Sequence, residues 1–156
     1  MNAVLNSNFL HLFSALSKDF EQRVVSTIQH DGHPKIRPAH ITLFSLLGRE
    51  HLRLTELAER AHISQQAMGK LVKELASLHY LQRQSDQDDK RAKIISVTEK
   101  GSALITIMNQ AIISTTSSYV DTLGQEDATA LSKQLENTVD KLGIEYPTPS
   151  KTLYSK

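Results

Sequence analysis

The chain has 156 residues and a formal net charge of +1, and its hydrophobic and aromatic fractions are only 39% and 5%. This length allows one domain, or one small module with dimerising extensions. The low hydrophobic fraction predicts apolar helix faces that a partner covers. Because tryptophan is absent and aromatic residues are few, a base-stacking platform for single-stranded nucleic acid is not expected. A nucleic-acid interface would have to be a local basic face.

Cysteine is absent from the sequence, which excludes a disulfide framework, a thiol redox switch and a cysteine-ligated metal. No apolar run approaches the roughly 20 residues needed to cross a bilayer. Residues 1–8 lack the basic and then apolar pattern of a signal peptide. We therefore expect a soluble, cytoplasmic protein with no membrane partner.

The first predicted element is a long amphipathic helix. Apolar residues recur at three- and four-residue spacing between Phe9 and Ile28, and the Gly and Pro of residues 30–34 end the helix. Pro38 suits the first turn of a second helix, which Gly48 closes. The buried stripe expected in this second helix consists of Ala39, Leu43, Leu46 and Leu47.

A short helix, a turn and a longer helix are predicted next, after an edge strand or connector at residues 52–54. Thr55 is a good N-cap for the short helix, with Glu56 where the macrodipole favours an acid. Residues 62–63 form the turn, and Ser64 caps the longer helix. The apolar positions expected to face the core are Leu57, Ala58, Ala61, Ala67, Leu71, Leu75 and Leu78.

The longer helix of this pair has a polar face of amides and lysines, and its only acid between Ser64 and Leu78 is Glu74. In a DNA major groove, Gln can pair with adenine and Lys can contact guanine or phosphate. A solvated helix face is the alternative interpretation. The short preceding helix and the tight turn favour DNA. The face consists of Gln65, Gln66, Gly69, Lys70, Lys73 and Ser77.

Two predicted strands, residues 80–83 and 93–97, flank a charged loop. The loop, residues 84–92, is too long for a two-residue hairpin turn and should project as a wing. Arg91 is placed to enter a minor groove, where narrow width concentrates negative potential. Aspartates near a DNA backbone need an arginine partner, although an ordinary solvated turn is the alternative. The residues expected to brace the wing are Asp86 or Asp89 with Arg83 or Arg91.

Two further helices complete the chain. Thr98 caps the first, Gly124 interrupts it, and the second has coiled-coil-like spacing. The tail, residues 147–156, has two prolines and is expected to be disordered or ordered only on contact. The apolar stripes consist of Leu104, Ile107 or Met108, Ala111, Ile112, Thr115, Tyr119 and Leu123, and then of Leu131, Leu135, Thr138 or Val139, and Leu142.

Residues 54–101, with their flanking helices, resemble the MarR family of bacterial transcriptional regulators. The segment Asp86-Gln87-Asp88-Asp89-Lys90-Arg91-Ala92 is similar to the family's Asp-x-x-Asp-x-Arg wing. Thr98-Glu99-Lys100-Gly101 is similar to the Leu-Thr-x-x-Gly start of its fifth helix, with Val97 where Leu is usual. His79 stands where the family usually has Gly. Because His tolerates a left-handed cap poorly, we expect a slightly different cap there.

The resemblance implies a mainly α, winged helix-turn-helix fold with about six helices and a two- to three-stranded antiparallel sheet. It implies a homodimer, held by the N- and C-terminal helices, that binds pseudopalindromic duplex DNA with its recognition helices ~34 Å apart. It also implies a repressor without a cofactor, released by a small aromatic (phenolic) or anionic ligand. The expected units are an N-terminal dimerisation helix (1–36), the DNA-binding domain (37–98), C-terminal dimerisation helices (99–146) and a tail (147–156).

Roles follow for individual side chains. We assign Gln66 and Lys70 to base edges, and Thr55, Lys73 and Lys90 to phosphate contacts that set the register. The full predicted DNA-binding set is Thr55, Ser64, Gln65, Gln66, Gly69, Lys70, Lys73, Lys90 and Arg91, with wing support from Asp86, Asp89 and Arg83.

Three other functions were weighed against DNA binding. The sequence has no nucleophile elbow, Gly-rich phosphate loop or paired-carboxylate motif, so an enzyme is not expected. The best metal candidate is His30 with His33 and His40; without Cys, and with a Gly-Pro turn between them, we expect solvent-exposed histidines instead. A winged helix used only for protein contacts is the remaining alternative, which the amides and cations of the polar face disfavour.

Overall fold

The structure is a computed structural model that describes residues 3–48, 50–85 and 93–144. Its elements are α1 (Ala3–His30), α2 (Pro38–Leu47), β1 (Leu52–Arg53), α3 (Leu54–Arg60), α4 (Gln65–Ser77), β2 (Leu81–Ser85), β3 (Lys93–Val97), α5 (Glu99–Leu123) and α6 (Gln125–Leu142). The predicted fold class, mainly helical with a small winged sheet, is confirmed. No helix in these ranges is long and apolar enough to cross a membrane.

The sheet has the order β1-β3-β2, and both pairings are antiparallel. Leu52 on β1 lies opposite Ile95 on the central strand, and both side chains are buried. On the other side of β3, Leu81 pairs with Val97 and Ser85 with Lys93. This pairing directs the chain into residues 86–92, the predicted wing tip, which lie outside the described residues.

One apolar core joins the helix-turn-helix to the long helices. The C-terminal half of α1 and the first half of α5 pack on the same cluster as α2, α3, α4 and the sheet. The predicted unit boundaries at 36 and 98 stay predictions, and core side chains lie on both sides of each. Fully buried members include Ile28, Phe44, Leu47, Leu57, Met68, Leu75, Ile95, Leu104 and Met108.

The buried face of α2 differs from the prediction. Ala39 is exposed, whereas His40 is completely buried together with Leu43, Phe44 and Leu47. Five of residues 41–47 are apolar and they lie on more than one face, so periodicity alone could not orient this helix. Burial of His40 also contradicts the expectation that the histidines of this region are solvent-exposed. The physical reason is that Glu74 on α4 and Arg37 at the start of α2 supply polar partners for the ring, as described below.

The buried face of α4 is rotated relative to the predicted stripe. Met68, Val72 and Leu75 are buried, and the predicted Ala67, Leu71 and Leu78 are only partly buried at its edge. Stripes that begin one residue apart differ by about 100° around a helix. The sequence offers apolar residues on both, and packing against the core selects the Met68–Val72 side.

The start of α3 is also different. Thr55 was the expected N-cap, but the helix begins at Leu54 and its N-cap is Arg53. The Glu56 carboxylate accepts a hydrogen bond from the Arg53 backbone N–H at 2.7 Å. Because β1 runs directly into α3, no linker is left in which a threonine could cap the helix.

The end of α4 contradicts the expectation of an altered cap. His79 adopts a left-handed backbone with φ +63°. Its N–H donates to the Ala76 carbonyl at 3.0 Å, and the Tyr80 N–H donates to the Leu75 carbonyl at 3.0 Å. These two bonds form the ordinary Schellman arrangement. A tertiary bond supports it, since the Thr98 hydroxyl donates to the His79 carbonyl at 2.7 Å.

Thr98 caps α5 as predicted, its hydroxyl accepting from the Gly101 N–H at 3.1 Å. Gly101 is required for a different reason. A Cβ at this position would lie 2.2 Å from the Tyr80 carbonyl oxygen, closer than any real side-chain carbon. The first turn of α5 therefore rests directly on the backbone at the start of the wing.

Burial decreases towards the chain ends. In α5, Leu104, Met108, Ala111 and Thr115 are buried, which selects Met108 over Ile107. In α6, Val139 is partly buried and Thr138 is exposed, but no residue of this helix is fully buried. The two terminal regions thus keep apolar stripes that the described chain leaves uncovered.

Candidate nucleic-acid interface

The turn between α3 and α4 is tight and left-handed. His62 has φ +53°, and the N–H groups of His62 and Ile63 donate to the carbonyls of Glu59 and Ala58 at 3.0 and 3.1 Å. The Ser64 hydroxyl then accepts from the Ala67 N–H at 3.2 Å, as predicted. The N-terminus of α4 is therefore exposed at the surface, next to the short helix.

The predicted polar face of α4 is exposed to solvent. Gln65, Gln66, Lys70, Lys73 and Ser77 are all exposed, and Gly69 lies partly buried between them and α3. A Cβ on Gly69 would meet only the Leu54 side chain, at 3.9 Å. Thr55 is exposed at the second position of α3, where it can reach the same surface. Two lysines and two amides thus project from one helix face.

The only acid of α4 is paired away from this face. The Glu74 carboxylate forms an ion pair with the Arg37 guanidinium at the start of α2, and the His40 Nε2 atom lies 3.5 Å from the same oxygen. His40 Nδ1 accepts the Arg37 backbone N–H at 3.3 Å. The proton of a neutral His40 is therefore on Nε2, directed at Glu74. These contacts stabilise the buried imidazole and neutralise Glu74.

Burial lowers the pKa of His40 below its ordinary value, and the neighbouring Arg37 charge acts in the same direction. The Glu74 carboxylate opposes this shift without cancelling it. A proton on Nδ1 would also face the Arg37 N–H and break that bond. His40 is therefore held neutral as a structural bridge between α2 and α4.

Arg83 connects the wing to α4. Its guanidinium extends from β2 and donates to the Gly69 carbonyl at 3.1 Å, which places a positive charge beside the polar face. The expected acidic partners, Asp86 and Asp89, lie outside the described residues, as do Lys90 and Arg91. Within the described part, strand β2 is thus braced against α4 through a backbone carbonyl.

A second cluster supports the other end of α4, and sequence inspection missed it. The Lys100 ammonium donates to the Leu78 carbonyl at 3.0 Å and lies 4.4 Å from the centre of the Tyr80 ring. A cation here is favoured by the negative end of the helix dipole. The Tyr80 hydroxyl and His33 Nδ1 share a 2.6 Å hydrogen bond. Burial raises the pKa of Tyr80.

His33 is therefore partly buried and hydrogen-bonded to Tyr80, and the His40 ring lies against the Glu74 carboxylate. His30 is exposed. Among the described residues, no group of three or more His, Cys, Asp or Glu side chains is arranged to hold a metal ion. No local pattern links His33 to Tyr80, because 47 positions separate them. Only Lys100 had a sequence signal, as part of the Thr98–Gly101 motif.

Known proteins share both sequence and fold with this chain. Residues 36–92 match the sequence model of the MarR family. The chain is 24% identical over 140 residues to the HTH-type transcriptional regulator SarZ of Staphylococcus epidermidis, covering 90% of this chain and 92% of that protein.

Two solved structures illustrate the shared fold. A mutant MarR from E. coli complexed with operator DNA has a TM-score of 0.71 at 15% identity, covering 89% of this chain and 99% of that chain. The PcaV transcriptional regulator from Streptomyces coelicolor, in complex with its natural ligand, has a TM-score of 0.65 at 17% identity, covering 90% and 98%. Residues 36–92 therefore carry the sequence pattern of the MarR family, and the chain shares its fold with the solved MarR and PcaV structures.

Proposed function

We propose that the chain binds a pseudopalindromic duplex operator as a homodimer and represses transcription until a small molecule releases it. The observation that carries the DNA-binding step is the exposed amide-and-lysine face of α4, whose only acid, Glu74, is paired with Arg37 on α2. A helix with this face fits a major groove. The operator complex of the similar MarR protein supports this use of the fold.

Individual roles follow from position on this face. Gln66 and Lys70 read base edges, and each bidentate pairing contributes about 1–3 kcal/mol of discrimination. Thr55, Lys73 and Lys90 contact phosphates and set the register. Ser64, Gln65 and Gly69 complete the contact surface of the helix, and Arg91 enters the minor groove.

Exposed apolar side chains support the homodimer. Leu12 and Leu10 on α1 are 68% and 70% exposed, and Leu142 at the end of α6 is 67% exposed. A large uncovered apolar surface marks an association site. A mainly apolar cavity of about 440 Å³ lies in this region between α1, α5 and α6. The other exposed large apolar side chains of α1, α5, α6 and the residues that follow α6 are Phe9, Phe13, Leu16, Ile113, Leu123, Leu131 and Ile144.

Sedimentation equilibrium tests the dimer. Leu12→Asp should convert it to monomer, because a charge on the apolar patch would be desolvated on association. The matched control is Ile63→Asp, since Ile63 is also exposed but lies in the turn before α4. A wild-type monomer, or a Leu12→Asp protein that stays dimeric, contradicts this part of the proposal.

A gel-shift selection from a palindromic duplex library tests DNA binding. Wild-type binding should weaken steeply with added salt because the contacts release counterions. Gln66→Ala should broaden the selected consensus, whereas Lys73→Ala and Arg91→Ala should weaken binding. Lys133→Ala, an exposed lysine on α6, is the matched control and should bind normally.

One result would overturn the DNA-binding proposal, and a second would remove one residue from it. Absence of any shift at low salt would favour the alternative of a winged helix used for protein contacts. An unchanged consensus for Gln66→Ala would remove that residue from base recognition. Repression itself is tested with a reporter whose promoter overlaps the selected operator; higher expression in the presence of the protein would indicate an activator instead.

A further inference from the structure

A wide cleft lies between the C-terminal part of α1 and the middle of α5. It indicates which class of small molecule would serve as the ligand of the proposed function. Its volume is about 790 Å³, within the range of small-molecule sites. Among the described residues, no Phe or Tyr side chain lines it, and its apolar lining is limited to Ile107 and Ala111. Five hydroxyl-bearing side chains line it, namely Ser26, Thr27, Ser114, Thr115 and Ser118.

Thr115 is the feature that points to a ligand. It lines the cleft and is only 4% exposed. Its hydroxyl has no hydrogen-bond partner among the described residues, although the four other hydroxyls that line the cleft do. A buried polar group without a partner is unfavourable and rare in folded proteins. A ligand in the cleft would supply the missing partner.

The other hydroxyls determine which hydrogen-bond donors and acceptors a ligand must have. Ser114 and Ser118 donate their protons to the carbonyls of Ala111 and Thr115 at 3.1 and 2.8 Å, and Thr27 donates to its own helix in the same way. Since each hydroxyl has one proton, these oxygens can only accept from the cleft. The ligand must therefore donate to them and accept from Thr115.

Charge in the cleft disfavours an anion. The Arg23 guanidinium is engaged with the Asp19 carboxylate at 2.7 Å. The Asp31 carboxylate lines the cleft and has no ion-pair partner within the described ranges. A ligand carboxylate would accept but not donate hydrogen bonds, and it would approach an uncompensated negative charge.

We propose that the α1/α5 cleft binds an uncharged polyhydroxylated small molecule of the sugar or cyclitol class, anchored by Thr115 and Asp31. Each ligand hydroxyl both donates and accepts, as this lining demands. An ammonium ligand would donate to Asp31 but could not accept from Thr115. The inference rests on the proposed function only for its regulatory meaning, since binding itself requires no DNA.

Ligand-observed NMR and calorimetry on the full chain without DNA test the site. The probes are D-glucose, D-ribose and myo-inositol, with benzoate and 4-hydroxybenzoate as aromatic acids and ethylammonium as a cation. At least one polyol should bind, and Thr115→Val should weaken that binding about tenfold. Thr116→Val is the matched control, because Thr116 is exposed on the same helix and donates to its own backbone.

Stability separates this role from a structural one. Because the Thr115 hydroxyl has no hydrogen-bond partner within residues 3–48, 50–85 and 93–144, Thr115→Val should leave the unfolding midpoint unchanged or raise it. Asp31→Asn should weaken polyol binding, whereas it would strengthen binding of an anion. The proposal is overturned by no Thr115-dependent polyol binding, by preferred binding of an aromatic acid or the cation, or by a lowered midpoint in Thr115→Val.

These outcomes remain distinct from those of the DNA experiments. Polyol binding by a protein that fails to shift any operator would contradict the proposed function and leave the site intact. Operator binding without polyol binding would do the reverse. If both occur, the bound polyol should lower operator affinity in wild type and in Thr116→Val, but not in Thr115→Val.

Discussion

Substitution of Gly101 by Ala should severely destabilise the fold. The added Cβ would lie 2.2 Å from the Tyr80 carbonyl oxygen and 3.3 Å from the Val97 Cβ. Normal contact distance requires a displacement of about 1 Å of α5 against the start of β2. That carbonyl also accepts from the Thr98 backbone N–H at 3.1 Å. It shares the Thr98 hydroxyl proton, at 3.1 Å, with the His79 carbonyl at 2.7 Å, and a shift of this size weakens both interactions.

The expected magnitude follows from three contributions. Two weakened hydrogen bonds cost about 1 kcal/mol each, and overpacking of a well-packed site costs about 1–3 kcal/mol. The higher helix propensity of Ala offsets about 1 kcal/mol of this destabilisation. The net loss of unfolding free energy is about 2–4 kcal/mol, a large share of the roughly 5–15 kcal/mol typical of a folded domain.

Urea unfolding followed by far-UV circular dichroism, at one protein concentration, measures this loss. Gly69→Ala is the matched control, since Gly69 is also helical and a Cβ there meets only the Leu54 side chain, at 3.9 Å. It should be neutral or stabilising by up to about 1 kcal/mol. Equal unfolding free energies for Gly101→Ala and wild type would refute the steric argument.

Three further predictions concern the surroundings of α4. His79→Gly should raise the unfolding free energy by about 1 kcal/mol, because glycine adopts φ +63° without the penalty that a side chain incurs; a lower unfolding free energy would show that the His79 side chain contributes a contact of its own. His40→Gln should flatten the decline of stability in acid. The pKa of His40 is lowered in the folded state, so its contribution is fully present above the ordinary His pKa of about 6.5 and is lost as pH falls from there through the lower folded pKa; urea titrations across this range that fall equally in both proteins would contradict it. Arg83→Met removes the bond to the Gly69 carbonyl and should weaken operator binding about tenfold in fluorescence anisotropy, whereas Lys133→Met should not, and equal affinities would remove Arg83 from wing positioning.

Several features of this protein were evident in its local sequence. Pro38 and Gly48 delimit α2, and Ser64 and Thr98 cap α4 and α5 as predicted. Each of these depends on interactions within about four residues along the chain, which a local pattern can record. The polar face of α4 was likewise predictable, because helical periodicity places those residues together whatever the helix packs against.

The polar contacts of the core were not predictable in this way. His40 had the sequence character of an exposed residue, yet it is buried because Glu74 and Arg37 supply partners for its ring. The orientation of α4 was decided similarly, since Met68 and Val72 face the core in place of equally apolar neighbours. Both outcomes depend on which helix is opposite, and local periodicity does not contain that information.

The sequence alone determined that a short helix, a longer helix and two strands would form, and that one helix face would be polar and basic. Only the tertiary structure decided how this helix-turn-helix is held in place. The close contact of Gly101 with Tyr80, the Tyr80–His33 bond and the pairing of Glu74 with Arg37 all join residues distant in sequence. Such contacts depend on the distance between packed backbones, which is fixed only when the whole core assembles.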